Sequence, residues 1–239
     1  GGGGAGQQGA NQTMEDPQQS ANQTMEKAIQ SANETGEDVA EVGSKVTEGA
    51  KDLIGTIGDK LQDLAKLAKI YKMPVVLTTS YEEGPNGPIA PGLKEMFPDV
   101  EIIKRQGEIN AWDDPNFVKA VEATGGKKLI ISGILTDVCV AFPTLSAIEA
   151  GYDVVAAIDG SGTLNQTVRE AAISRMVHAG AQIMTWFPIM AELQGDWKKS
   201  TAPDMVRLLI EHAVKYGLIV SSYVANKPDQ TIVPKDFKA

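Results

Sequence analysis

The chain has 239 residues, a formal net charge of −9 and 42% hydrophobic residues, enough apolar material for one good-sized domain with an extension. The acidic balance argues against nucleic acid and anionic membrane as partners, since both select a basic face, and no apolar run approaches the roughly 20 residues of a membrane span. The single cysteine, Cys139, excludes an internal disulfide and suits a reducing compartment. With no signal-peptide pattern at Gly1 to Gly4 or in the polar residues that follow, a cytoplasmic protein is expected.

Residues 1–19 read as a flexible Gly/Gln/Asn-rich start. Within and beyond them runs a repeat. Ala-Asn-Gln-Thr-Met-Glu at Ala10 to Glu15 returns at Ala21 to Glu26, with a degraded copy at Ala32 to Glu37, a step of 11 residues. The apolar positions keep that step: Val39, Ala50 and Leu61, then Val42, Leu53 and Leu64. Such spacing places them on one stripe of a helix with about 3.67 residues per turn, so residues 20–72 are predicted to form one long amphipathic helix. It packs on the domain or on a copy of itself, or it works as an eleven-residue repeat like that of the late-embryogenesis-abundant stress proteins, which it resembles in composition and step. Gly36, Gly43, Gly49, Gly55 and Gly58 each weaken it by up to about 1 kcal/mol relative to Ala, so much of it is expected to form only when docked.

From Met73 the pattern changes. Short apolar runs at Pro74 to Thr79, Glu101 to Lys104, Lys128 to Leu135, Asp153 to Ile158 and Gln182 to Thr185 read as strands. Helical patterns lie at Asn116 to Thr124, Val140 to Ala150, Gln166 to Ala179, Pro188 to Gln194 and Asp204 to Tyr216. Near-continuous apolar strands with helical crossovers predict a three-layer α/β/α sandwich with a mostly parallel sheet. Residues 73–226 are taken as this domain and 227–239 as a tail.

In an open parallel sheet, ligands bind beyond the carboxyl ends of the strands. Cys139 follows the most apolar strand, Leu129 to Ile134, and opens the next helix. There the positive end of the helix dipole and free N–H groups stabilise a thiolate and can hold an oxyanion. The bland alternative is an inert, small apolar residue. His178 and His212 both fall in helices without metal-ligand neighbours, so no metal and no other cofactor is expected.

The string Gly133-Ile134-Leu135-Thr136-Asp137-Val138-Cys139-Val140 resembles the nucleophile motif of the isochorismatase-like cysteine hydrolases, in their YcaC-type branch. The resemblance continues through Val75-Leu77-Thr78-Thr79-Ser80, Gly84-Pro85-Asn86-Gly87-Pro88, Ile109-Asn110-Ala111-Trp112-Asp113, Ala141-Phe142-Pro143, Asp159-Gly160-Ser161-Gly162-Thr163 and Met184-Thr185-Trp186-Phe187, about Met73 to Trp197 in all. It implies a hydrolase acting on a small amide or related substrate through Cys139. It further implies a non-proline cis peptide at Leu135–Thr136, with the N–H groups of Thr136 and Cys139 forming an oxyanion hole. Asn110, Trp112, Leu135 and Phe142 would line the substrate pocket, and the subunits would form a homo-oligomer.

This sequence departs from the family pattern in two places. The family's Asp sits near the chain start on a central strand in an Asp-x-Gln setting. Asp16-Pro17-Gln18 matches only the letters, so the first strand is expected to be missing. The sheet should then close directly across the gap or be filled from another chain. The family's Lys position, counted back from Trp112, holds Gln106, with Arg105 beside it as an electrostatic substitute. The rival readings are a catalytically impaired oligomeric binding or scaffold protein, and a stress-type protein working through its repeat.

Overall fold

The computed structural model describes residues 60–84 and 86–226. The repeat, most of the predicted long helix and the 227–239 tail lie outside them. The chain divides into two units, Gly1–Asp52 and Leu53–Ala239, and all described residues belong to the second.

The alternation read from the sequence is present. Helix α1 covers 60–70, followed by β1 (Leu77–Ser80), α2 (Pro91–Met96), β2 (Ile102–Arg105), a 3-10 turn (Ala111–Asp113), α3 (Pro115–Ala123) and β3 (Lys128–Ile131). A π-type turn (Thr136–Val140) leads into α4 (Ala141–Glu149), then β4 (Asp153–Ala157), α5 (Gln166–His178), β5 (Gln182–Met184), α6 (Trp186–Gln194), α7 (Ala202–His212) and α8 (Val214–Asn226). Side-chain caps start the helices where short polar residues allow it. Asp114 Oδ1 accepts from Asn116 N at 2.7 Å ahead of Pro115, and Asn165 Oδ1 accepts from Val168 N at 2.9 Å.

Among the described residues all strand pairs are parallel, in two sheets: β1–β2, with Ser80 opposite Arg105, and β3–β4–β5. The expected direct closure does not occur, because β1 and β3 are not hydrogen-bonded to each other. Burial follows the pairing. Val154 to Ala157 of β4, which has a neighbour on each side, are buried, whereas Leu129 to Ile131 of β3, with one neighbour, are only half-buried.

Alternation along β4 separates two cores. Val155 and Ala157 face Leu67, Trp186, Met190, Met205 and Leu209 of α1, α6 and α7. Ala156 faces Val140, Ala141 and Met176, in the turn and on α4 and α5. A third cluster joins Ala65 and Leu61 of α1 to Leu77 and Leu93 beside the β1–β2 sheet. Helix α1 therefore serves both sheets, with Leu64 and Leu67 toward one and Leu61 and Ala65 toward the other. Its fully buried Asp63 faces Lys60 Nζ and His212 Nδ1, each at 3.2 Å, and Lys60 also donates to His212 O at the end of α7. His212 thus joins helices.

The single predicted helix Asp204 to Tyr216 is two. It breaks at Ala213 (φ −119, ψ 67), and Gly217 lets α8 fold back against α7, where an added Cβ would lie 3.2 Å from Ile210 backbone atoms. Helix α2 and the 3-10 turn were not foreseen. Among the described residues no helix is long and apolar enough to cross a membrane, and no group of His, Cys, Asp and Glu could hold a metal ion.

Candidate active site

The carboxyl end of β3 opens into the turn that carries Cys139. Leu135 enters it with extended backbone (φ −105, ψ 158), and its carbonyl accepts from Val138 N at 3.4 Å and Val140 N at 3.1 Å. The turn runs without a break into α4. Cys139 is half-buried and its thiol makes no hydrogen bond with a described residue, so it stands ahead of a helix N-terminus with no local partner to quench it.

The loop after β4 braces this turn. Gly162 N donates to Gly133 O at 3.1 Å, Ser132 Oγ to Gly160 O at 2.6 Å, and Ser161 Oγ to Ala157 O at 2.6 Å. Gly160 lies against α1, where an added Cβ would meet Leu64 Cδ1 at 2.6 Å and Ser132 Oγ at 3.0 Å and force those side chains to shift. Thr136 is fully buried, and both its N–H (2.7 Å) and its hydroxyl donate to Gly162 O. Its amide is therefore committed to the brace, a correction to the expected oxyanion role. Among the described residues the Asp137 and Cys139 amides make no bond outside the turn. The cis peptide also lies one bond earlier than expected, at Ile134–Leu135; the resemblance located the neighbourhood but not the register.

Arg105 ends β2 and is 6% exposed. Nε donates to Thr78 Oγ1 at 3.1 Å, and Nη1 to the carbonyls of Glu108 and Ile109, the latter at 2.9 Å. Burial lowers its pKa from the usual guanidinium value, and the charge of Cys139 is the largest among the groups that oppose that shift, ahead of Glu108 and Asp114. Gln106 instead is exposed, its amide reaching only Lys104 O at 3.4 Å. The buried, hydrogen-bonded cation of this segment is thus Arg105, one residue before the position obtained by counting.

The remaining candidates go elsewhere. Both ends of the Asn110 amide are engaged, by Ser146 Oγ at 3.0 Å and Trp112 N at 3.1 Å. Trp112 stacks edge-on against Phe117 and Tyr152. It lines a separate cleft of about 370 Å³ with Val118, Glu122, Lys127 and Tyr152, at the amino ends of β3 and β4. Phe142 packs on the α4–α5 core, with the Arg175 guanidinium 5.2 Å above its ring. Thr78 was quoted only as part of a motif; a hydroxyl in a strand carries no sequence signal for its part in holding Arg105.

Asp159, quoted above only within a motif, caps α6 by accepting from Trp186 N at 3.0 and 3.2 Å. Burial raises its carboxyl pKa, only partly offset by that amide and by Lys60. A raised carboxyl contributes stability that is full below the unfolded value and is lost as pH rises through the folded one. Asp159→Asn retains an acceptor for Trp186 without the titration. Its Tm relative to the wild type should improve as pH rises from about 4 toward neutrality; parallel Tm-versus-pH curves for the two proteins would refute this.

The isochorismatase domain profile matches residues 21–187. YcaC of Escherichia coli (strain K12), a probable hydrolase, is 51% identical over 160 residues, which cover 67% of this chain and 76% of that protein. The chain belongs to the isochorismatase family. Solved family structures agree with the fold. The E. coli YcaC gene product, described as an octameric hydrolase of unknown specificity, aligns with a TM-score of 0.69 at 48% identity, covering 72% of this chain and 84% of that one. YcaC from Pseudomonas aeruginosa, solved with hexane-2,5-diol and covalent acrylamide, aligns at 0.66 and 49% identity, covering 71% and 83%.

Proposed function

We propose that this isochorismatase-family chain is a cysteine hydrolase that cleaves a small amide or related carbonyl compound through Cys139. The observation that carries the reading is the site itself: a half-buried thiol at a helix entrance that makes no hydrogen bond with a described residue. In the first step the Sγ–carbon bond forms as the carbon–nitrogen bond breaks, and the amine leaves with the thiol proton. In the second, water attacks the thioester and returns the carboxylic acid and the free thiol. The Asp137 and Cys139 amides, which make no bond outside the turn, would be the donors to the intermediate oxyanion. The covalent acrylamide in the P. aeruginosa relative supports a reactive nucleophile in this branch of the family.

The test is a panel of small amides and esters followed by product assay and by intact mass. A substrate-derived acyl adduct mapping to Cys139 supports the reading; turnover with the adduct elsewhere overturns it. The second reading, a family member that keeps the fold without the reaction, is favoured by one observation: among the described residues no carboxylate is hydrogen-bonded to Cys139.

We also propose a homo-oligomer in the cytoplasm. The octameric E. coli relative and the exposed Leu218 and Ile219 on α8 support assembly. A solution mass near 25.4 kDa by light scattering would count against it.

A further inference from the structure

Two tight turns lie side by side at the amino ends of β3 and β4, the opposite end of β3 from Cys139. Gly125, with φ +68, turns the chain out of α3, and its N–H donates back to Glu122 O at 3.0 Å. The second turn delivers Tyr152, whose N–H donates to Ala147 O at 3.0 Å. Asp153 N joins the two turns by donating to Lys127 O at 2.9 Å. Trp112 meets the Tyr152 ring edge-on with centroids 5.7 Å apart, and Lys127 Nζ sits 5.2 Å from the centre of that ring. With Val118 and Ala150 these residues line the cleft of about 370 Å³, a volume within the range of small-molecule sites.

The cleft carries one charge of each sign. Among the described residues neither Glu122 nor Lys127 forms an ion pair, with each other or with a third group. Glu122 lies in the last turn of α3, and no basic side chain occupies that turn. The negative end of the helix dipole and the carboxylate therefore attract a cation to the same corner. Lys127 offers an ammonium at the other corner, held over the aromatic wall. Among the described residues the Trp112 indole N–H and the Tyr152 hydroxyl have no hydrogen-bond partner either. A cation corner, an anion corner and aromatic edges between them suit a ligand with both charges and a ring.

We propose that this cleft binds a free aromatic amino acid. Its carboxylate pairs with Lys127, its ammonium with Glu122 and the end of α3, and its ring packs against Trp112 and Val118. An aromatic side chain within a peptide lacks both charges, and an aromatic acid or amine leaves one corner unpaired. The site is separate from the Cys139 turn and stands whether or not Cys139 is a nucleophile.

The test is calorimetric titration of the native full chain with L-phenylalanine, glycine, 3-phenylpropanoate and 2-phenylethylamine. The last two lack the ammonium and the carboxylate respectively. L-phenylalanine should bind about three- to fivefold more tightly than either, the scale of one exposed ion pair, and glycine should bind far more weakly. Glu122→Gln should lower the affinity for L-phenylalanine by the same factor and leave that for 3-phenylpropanoate unchanged. Lys127→Gln should do so while sparing 2-phenylethylamine. Both side chains are exposed, so both variants should fold as the wild type does.

No saturable binding of L-phenylalanine overturns the proposal. Equal affinity for L-phenylalanine and the two singly charged compounds overturns the pairing of both charges, and glycine binding as tightly overturns the aromatic contact. A preference that survives in both variants places the binding elsewhere and overturns the assignment to this cleft.

Discussion

Replacing Cys139 with Ala should abolish hydrolysis of any substrate found for this protein, by roughly 10⁴–10⁶-fold. The chain contains one cysteine, so no second thiol can take over. What would remain is substrate binding and any oxyanion stabilisation by the turn, which in the serine proteases still give roughly 10³–10⁴-fold over water but fall far short of the full rate. Cys139→Ser should be nearly as inactive, because a hydroxyl in the same place is a far weaker nucleophile at neutral pH unless a base activates it, and no described residue accepts a hydrogen bond from this position. The side chain is half-buried and makes no hydrogen bond with a described residue, so Tm should change little. Initial rates beside thermal melts check both parts. An Ala variant that keeps a tenth of the wild-type rate would assign the chemistry elsewhere.

Leu67→Ala should destabilise the protein by about 2–5 kcal/mol, within the range for truncating a fully buried leucine. Leu67 is 1% exposed and belongs to the cluster that also holds Trp186, Met205 and Leu209. In a domain of this size the loss corresponds to a fall in Tm of roughly 5–15 °C. Leu61→Ala, at the half-buried contact with the β1–β2 sheet, should cost less. Urea titrations of the two variants check the order. A Leu67 variant within about 0.5 kcal/mol of the wild type, the scale of a neutral surface change, would mean that α1 is an appendage rather than part of the core.

Strand positions were legible because β4 reads as an unbroken apolar run between turn residues, as a strand buried on both faces must. The break at Ala213 was not, since neither Pro nor Gly marks it and the close approach of Gly217 to Ile210 is visible only in three dimensions. Cys139 could be placed at a helix entrance from its position after Leu129 to Ile134. The fate of the Thr136 amide could not, because its acceptor, Gly162, lies 26 residues away in another loop. Arg105 was named beside Gln106, but counting could not choose between them: it fixes sequence distance, whereas burial and the Thr78 hydroxyl decide which of two neighbours turns inward. Trp112 shows the reverse case. Its motif identified the family, but its ring belongs to a cleft at the amino ends of the strands.

Because β1 and β3 share no hydrogen bonds, Arg105 and Cys139 stand on opposite banks of a seam. In a continuous sheet their separation would be fixed by the stiff lattice of strand pairing. Here it is set by how helix α1 seats on both banks, with Leu61 and Ala65 on one and Leu64 and Leu67 on the other. The spacing of cation and thiol is thus governed by side-chain packing, a softer and more adjustable restraint than backbone pairing. A substitution that shifts the seat of α1 on either bank would therefore change the separation of Arg105 and Cys139 without touching either residue.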